Sequence, residues 1–491
     1  MKLTHLMTVF AVLATFVTPA SKANDGELDP SFGGGGQITT DFNRSAESAN
    51  AVAVQADGKL VVAGSSLPKD DLDGEDFALA RYNPDGSLDT TFGARGKVRT
   101  DFPGLDAVIS SLIIQPDGKI VVAGGAFPLL VFLGDMIVAR YNSDGSLDSS
   151  FGNGGIVSLE FGDQGSYGFA LALQSDGKIV VAGTHFVDFS TDDSSNTDFA
   201  LARLNRNGSL DPTFSGGLVT TDFDTFNDDA FSVLIQPNGK IIAVGSAKNP
   251  ANFYDFAAAR YLSNGMIDTT FGIAGKVRTD FGAHDFDQAR SAVLQPDGRL
   301  VAAGFAISHG GGVQNFAFAR YNSNGHLDST FGHAGKTQVD FGSCCQSAYS
   351  LLRQSDGKLI AVGYPNSGSS DSDFLLTRLN ENGTLDETFG IGGKVRTSFG
   401  DLNGGANGAV LQPDDKIVAV GFQATASAKT VEFAVARYKN TLGFGLTSAV
   451  SRVTHDDAGR FHVPLALTGA PGVSVAAPGV DICWFSSSAA K

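Results

Sequence analysis

Apolar runs of five to seven residues recur along most of this chain, separated by polar turns at nearly fixed intervals. The stretch from Ala51 shows the unit. Ala51 to Gln55 leads into the turn Asp57-Gly58, and Leu60 to Ala63 follows as a wholly apolar run closed by Gly64. A polar stretch to Asp76 precedes Phe77 to Tyr82. There Phe77, Leu79 and Arg81 alternate with Ala78, Ala80 and Tyr82. A second turn at Asp85-Gly86, the string Leu88 to Gly93 and a last run from Gly96 to Phe102 complete the unit. Short runs rich in β-branched and aromatic residues, bounded by Asp-Gly or Asn-Gly, predict four strands joined by tight hairpins. They are called a, b, c and d in chain order. Strand b has no polar alternation, so both of its faces should be covered.

The unit repeats. The string Leu-Asp-x-x-Phe-Gly, or a close variant, begins at Leu28, Leu88, Leu147, Leu210, Ile267, Leu327 and Leu385, at spacings of 57 to 63 residues. A period this long and steady marks stacked copies of one supersecondary unit. Sheets covered on both faces and repeated seven times predict an all-β, seven-bladed β-propeller of four-stranded blades. The copies are also circularly offset. A d-like run, Gln37 to Phe42, precedes any a strand, and the last c-like run, Phe433 to Tyr438, has no d strand after it. The N-terminal strand is therefore expected to pair with the last blade, built from residues 408–438, and close the ring. That would hide two sheet edges, and Ile38 and Phe42 buried in the seam could contribute roughly 1.5–3 kcal/mol each.

The ends differ from the repeats. Lys2 followed by the apolar stretch Leu6 to Val17, with Ser21 and Ala23 before Asn24, reads as a signal peptide of residues 1–23. Its removal takes two lysines and deepens the formal charge from −17 to −19. No later apolar run is long enough for a membrane span. The repeats occupy 24–438. The tail, 439–491, reads either as a truncated β domain or as disordered. Strong acidity argues against nucleic acid, which requires clustered Lys and Arg. Three cysteines, Cys344, Cys345 and Cys483, make no disulfide framework; Cys344 and Cys345 could bridge each other or join Cys483, and free thiols are the preferred reading.

Gln115 to Gly124 (QPDGKIVVAG), Asp76 to Arg81 (DFALAR) and Asn83 to Gly93 (NPDGSLDTTFG) resemble the delta-60 repeat of bacterial secreted and surface proteins. The layout is more loosely similar to NHL-type propeller repeats. The resemblance covers residues 28–438 and implies a propeller-like, exported bacterial protein: secreted, periplasmic or on the cell surface. It supplies no catalytic residues.

Residues present in every copy are expected to be scaffold. Arg81, Arg140, Arg203, Arg260, Arg320, Arg378 and Arg437 share one strand-c position. Asp29, Asp89, Asp148, Asp211, Asp268, Asp328 and Asp386 share one turn position. Each Arg is expected to hold turn carbonyls or the nearby Asp. As an exposed pair this would be worth only ~0–1 kcal/mol.

Function is expected where the copies differ, in the d–a and b–c connections on one face. Phe127, Leu129, Leu130 and Phe132 form an apolar b–c loop suited to a partner contact, or to packing over the blade or central channel. Asp70, Asp71, Asp73 and Glu75, and His284, Asp285 and Asp287, are the metal candidates, with Asp192, Asp193, Asp224, Asp228 and Asp229 in further acidic clusters. Ca²⁺ takes roughly six to eight oxygen ligands, so such clusters could supply a site, but solvated acidic loops are the favoured reading. No nucleophile elbow, P-loop or Cys-x-x-Cys pair occurs, and Gly33 to Gly36 reads as a turn. The expectation is a non-catalytic module binding a protein or glycan. The alternatives are a cation-dependent hydrolase or lyase at the channel mouth, and a structural envelope or matrix component.

Overall fold

The computed structural model describes residues 25–440 apart from 43–45, 68–73, 129–133, 163, 189–195, 225, 252, 283–285, 308–311, 366–372, 401–402 and 426–429. Residues 1–23, expected from the sequence to be a signal peptide, lie outside the described residues. Residues 441–491 form a separate unit, in which Thr454–His455 and Phe461–His462 pair as two short antiparallel strands.

Twenty-eight strands build seven four-stranded antiparallel sheets. The first complete blade runs Ala46–Val54 (a), Leu60–Leu67 (b), Asp76–Tyr82 (c) and Lys97–Thr100 (d). Blades 2 to 6 repeat this order, with a strands at Leu105–Ile114, Ser166–Leu173, Asp228–Ile235, Asp287–Leu294 and Gln346–Arg353. Blade 7 takes Gly404–Leu411, Ile417–Thr425 and Thr430–Tyr438 from its own copy, and its outer strand is Gln37–Thr40. The register places Gln37 against Ala436 and Thr40 against Phe433. The circular offset is therefore closed as the strand count requires. Ile38 and Phe42 pack with Val418, Val420, Phe433 and Val435 in that seam.

The apolar core is not central. It is divided into seven layers, one between each pair of neighbouring blades. Between blades 2 and 3, Val121, Ala123, Met136 and Val138 meet Leu171, Ile179, Val181, Ala200 and Ala202. Each b and c strand feeds the layers on both of its sides, which is why strand b carries no polar alternation. The a strands are left lining a central channel.

Every a strand carries a β-bulge at the same place, where one residue is skipped in the pairing with strand b. The facing b residue is always glycine. A Cβ at Gly245 would sit 1.8 Å from the carbonyl oxygen of Asp229, and Gly64, Gly124, Gly183, Gly304, Gly363 and Gly421 are equally closed. Strand a thus presses into strand b at the glycine and turns the skipped residue toward the channel.

Candidate functional site

The shared Arg and Asp form a latch in each copy. Arg Nε donates to Asp Oδ2 at 2.7–2.9 Å in all seven. The Asp also meets a second cation from the a–b turn, as Lys178 meets Asp211 at 2.8 Å and Lys416 meets Asp29 at 3.2 Å. Arg Nη1 crosses to the next blade, so Arg203 donates to the Ser263 carbonyl and Arg437 to that of Pro84. The guanidinium lies over the motif phenylalanine, 4.6 Å from the Phe214 centroid for Arg203. Arg378 has no following c–d turn; it uses Asp25 and Asn440 at the ring seam instead. These pairs are buried, not exposed as the sequence reading priced them. Burial alone would raise Asp29, but hydrogen bonds from Ser31 and Lys416 and the Arg437 charge outweigh it and hold the carboxyl at about 2. Asp89, Asp148, Asp211, Asp268 and Asp386 are likewise depressed far below the usual range, and Asp328 is also lowered.

The skipped residues are where the copies differ most in chemistry. In ring order they are Asn50, Ser110, Phe169, Phe231, Arg290, Tyr349 and Asn407, all half-buried. They line a cavity of about 480 Å³, in the size range of ligand pockets. One side is aromatic. Phe127 stacks on Tyr167 at 5.3 Å, Tyr167 meets Phe169 at 4.6 Å, and Phe169 meets Phe231 at 4.7 Å. The Arg290 guanidinium lies 4.2 Å from the Phe231 centroid and 5.9 Å from that of Tyr349, which stacks on Tyr364 at 4.9 Å. The other side is polar. Asn407 donates to Asn50 Oδ1 at 3.0 Å, Asn50 donates to the Ile109 carbonyl at 2.9 Å, and Ser110 pairs with the Tyr167 hydroxyl at 2.9 Å. Arg290 is the one charged residue among the described residues lining the cavity. Its Nη2 donates to Gln288 at 2.6 Å, while its buried Nε has no partner among the described residues.

Two groups of three aspartates converge between blades. Asp198, Asp222 and Asp228 lie between blades 3 and 4; Asp255, Asp280 and Asp287 lie between blades 4 and 5. In each, one residue lies near the start of strand c (Asn196–Leu204 or Tyr254–Tyr261), one follows strand d and one opens the next strand a. Asp228 and Asp287 are fully buried, which corrects the expectation of solvated acidic loops for these two. Burial pushes Asp228 up to about 8. The Phe223 N–H and Arg278 oppose this, and Asp222 and Asp198 add to it. Asp287 is pushed up to about 7 by burial, against the Phe281 N–H and with help from Asp280 and Asp255. Ala107, Ser166, Gln346, Gly404 and Glu47 occupy the Asp228 position at the other five interfaces.

Of the residues singled out in the sequence, Asp228 and Asp287 each join a triad and Phe127 joins the aromatic side of the cavity. Glu75 lies at the start of strand c in blade 1, raised by burial against a Ser65 hydrogen bond and with the Asp106 charge. Asp224 pairs with Arg278 at 2.9 Å, and Asp229 accepts from Thr197 at 3.4 Å. Asp70, Asp71, Asp73, Leu129, Leu130, Phe132, Asp192, Asp193, His284 and Asp285 lie outside the described residues. Cys344 and Cys345 are free, the first exposed. The bulge ring was missed in the sequence. Its signal was the glycine closing every strand b, which marks a bulge in the facing strand.

A seven-bladed propeller of about 60-residue repeats defines the class. A family profile described as "Domain of unknown function (DUF5122) beta-propeller" matches six of the copies, at residues 55–92, 115–151, 174–214, 236–271, 295–331 and 354–389, and the chain is a propeller-repeat protein. No curated protein matches it by sequence. Among solved structures it is similar to virginiamycin B lyase from Staphylococcus aureus, with 10% identity and a TM-score of 0.42 over 82% of this chain and 98% of the other. An ulvan lyase shares 11% identity with a TM-score of 0.47, over 81% and 95% of the two chains. An α-L-arabinofuranosidase from Fusarium graminearum shares 12% with a TM-score of 0.44, over 70% and 97%. At such identity and overlap none of these bears on the chemistry of this chain.

Proposed function

We propose that this is an exported binding propeller whose central cavity takes an acidic saccharide. The observation that carries the reading is Arg290. It is the one guanidinium among the described lining residues, set over Phe231 with its Nε unpaired among the described residues and Asp229 as the nearby opposite charge, facing a cavity in a chain of net charge −17. A uronate would place its carboxylate on Arg290, its apolar ring face on Phe231 or Tyr349, and its hydroxyls toward Asn50, Ser110 and Asn407. Charge-assisted hydrogen bonds to carboxylate and stacking on aromatic faces supply affinity and orientation together. Among the described lining residues Arg290 is the only one of the Asp, Glu, His, Cys, Lys and Arg set, so the described lining suits binding of an anion.

Calorimetric titration with a galacturonate oligomer tests this. Arg290→Gln should weaken binding by roughly tenfold or more, since a hydrogen bond to a charged group is worth ~1.5–3 kcal/mol. Phe231→Ala should weaken it too, and a neutral oligomer should bind poorly to all forms. Equal affinity for the charged and neutral oligomers would refute the reading; tight binding of an acidic peptide in its place would move it to a protein partner. A second reading rests on Tyr349 beside Arg290. In β-elimination a base at the Tyr349 oxygen would take the proton next to a carboxylate that Arg290 neutralises. The electron pair left behind would form the C=C bond as the neighbouring glycosidic C–O bond breaks and its oxygen leaves with the other sugar. Accumulation of unsaturated uronate, lost in Tyr349→Phe, would establish a lyase.

A further inference from the structure

We propose that the triads Asp198–Asp222–Asp228 and Asp255–Asp280–Asp287 are two divalent-cation sites of the calcium class, each tying one blade to the next. Three observations converge on this. First, each triad offers three carboxylate oxygens no more than 4.8 Å apart. Oxygens gathered this closely suit the shell of a hard, oxygen-loving cation such as Ca²⁺, whose ligands sit roughly 2.3–2.6 Å from the ion. An all-oxygen donor set also disfavours zinc, which takes nitrogen and sulfur.

Second, the buried member of each triad is half-satisfied. Asp228 Oδ2 accepts the Phe223 N–H at 2.6 Å, and Asp287 Oδ2 accepts the Phe281 N–H at 2.7 Å. The other oxygen of Asp228, and Oδ1 of Asp198, is buried with no hydrogen-bond partner among the described residues, and Asp287 Oδ1 makes no well-formed bond there, with the Ile307 N–H as a nearby backbone donor. A fully buried carboxylate left with an unpaired oxygen is costly unless a proton or a cation meets it, and three acidic groups drawn together give a cation the advantage over single protons.

Third, the chain shows how it neutralises buried carboxylates elsewhere. Every latch aspartate receives an arginine and a second cation. The triads do not follow that pattern. Lys276 and Lys336 approach, but their ammonium groups go to the backbone carbonyls of Asp222 and Asp280. Arg278 reaches Asp255 at 3.7 Å while held by Asp224 at 2.9 Å, and His185 stands near Asp198. Three carboxylates per site against these groups leave room for a divalent charge. Because each triad draws on strands c and d of one blade and strand a of the next, a bound ion would act as an interblade staple.

The test uses the full chain, stripped with EDTA and dialysed against radioactive calcium at millimolar concentration. Two ions per chain are expected. Asp228→Asn and Asp287→Asn should each bind one, and the double variant none, with calcium raising the melting temperature of the wild type and not of the double variant. The Asn variants keep the shape and hydrogen-bonding oxygen of the side chain; should either fail to fold, Asp222→Asn and Asp280→Asn, which are exposed, give the same count. No uptake by the wild type, or two ions in the double variant, overturns the proposal. A single ion abolished by one variant alone overturns it for the other triad. The outcome is independent of whether the central cavity binds a saccharide.

Discussion

At the residue scale the copies record their own constraints. The tyrosine ending strand c of one blade bonds the threonine ending strand d of the blade before. Tyr82 meets Thr40 at 2.8 Å, Tyr141 meets Thr100 at 2.7 Å, Tyr261 meets Thr221 at 2.7 Å and Tyr321 meets Thr279 at 2.9 Å. Where the tyrosine is replaced, its partner is replaced too. Leu204 faces the place of Leu159, and Leu379 that of Val339. A buried hydroxyl left alone costs more than a buried apolar pair, so both members change together. Tyr141→Phe should therefore destabilise by about 1–3 kcal/mol, and adding Thr100→Val should recover part of the loss in a double-mutant cycle of urea unfolding.

The latch carboxylates set the acid limit. Their folded-state pKa values are depressed, so the stability they supply is complete above the unfolded value near 4 and lost as pH falls through the folded one, about 2 for Asp29. The urea midpoint should drop steeply between those two pH values, and a flat midpoint there would contradict the latch.

At the element scale the bulge connects sequence to site. Gly245→Ala should cost about 3 kcal/mol or more, because its Cβ would overlap the Asp229 carbonyl, whereas Gly35→Ala, with open space around it, should stay within about 0.5 kcal/mol. Thermal melts of the two variants compare them. Strands, hairpins and the offset were legible because Asp-Gly turns and apolar runs are local signals. The channel was not. Ala-Asn-Ala around Asn50 and Ala-Arg-Ser around Arg290 look like ordinary alternating strand, and only pairing across the sheet shows which residue is skipped. The triads were hidden for a related reason. Asp198 and Asp228 are 30 residues apart, and Asp255 and Asp287 are 32 apart, so no run in the sequence unites them.

At the scale of the whole molecule, one repeat serves two purposes. Its shared residues close a ring through seven interblade latches and the Gln37–Thr40 strand. Its one bulged position per copy is free to vary, and the ring gathers those seven variations into a single cavity. The most direct test is a crystal structure of the chain soaked with a galacturonate oligomer. Density in the central cavity, with a carboxylate against Arg290 and a sugar ring over Phe231 or Tyr349, is the expected result. An empty cavity, with the oligomer bound instead on the outer loops or not at all, would contradict it.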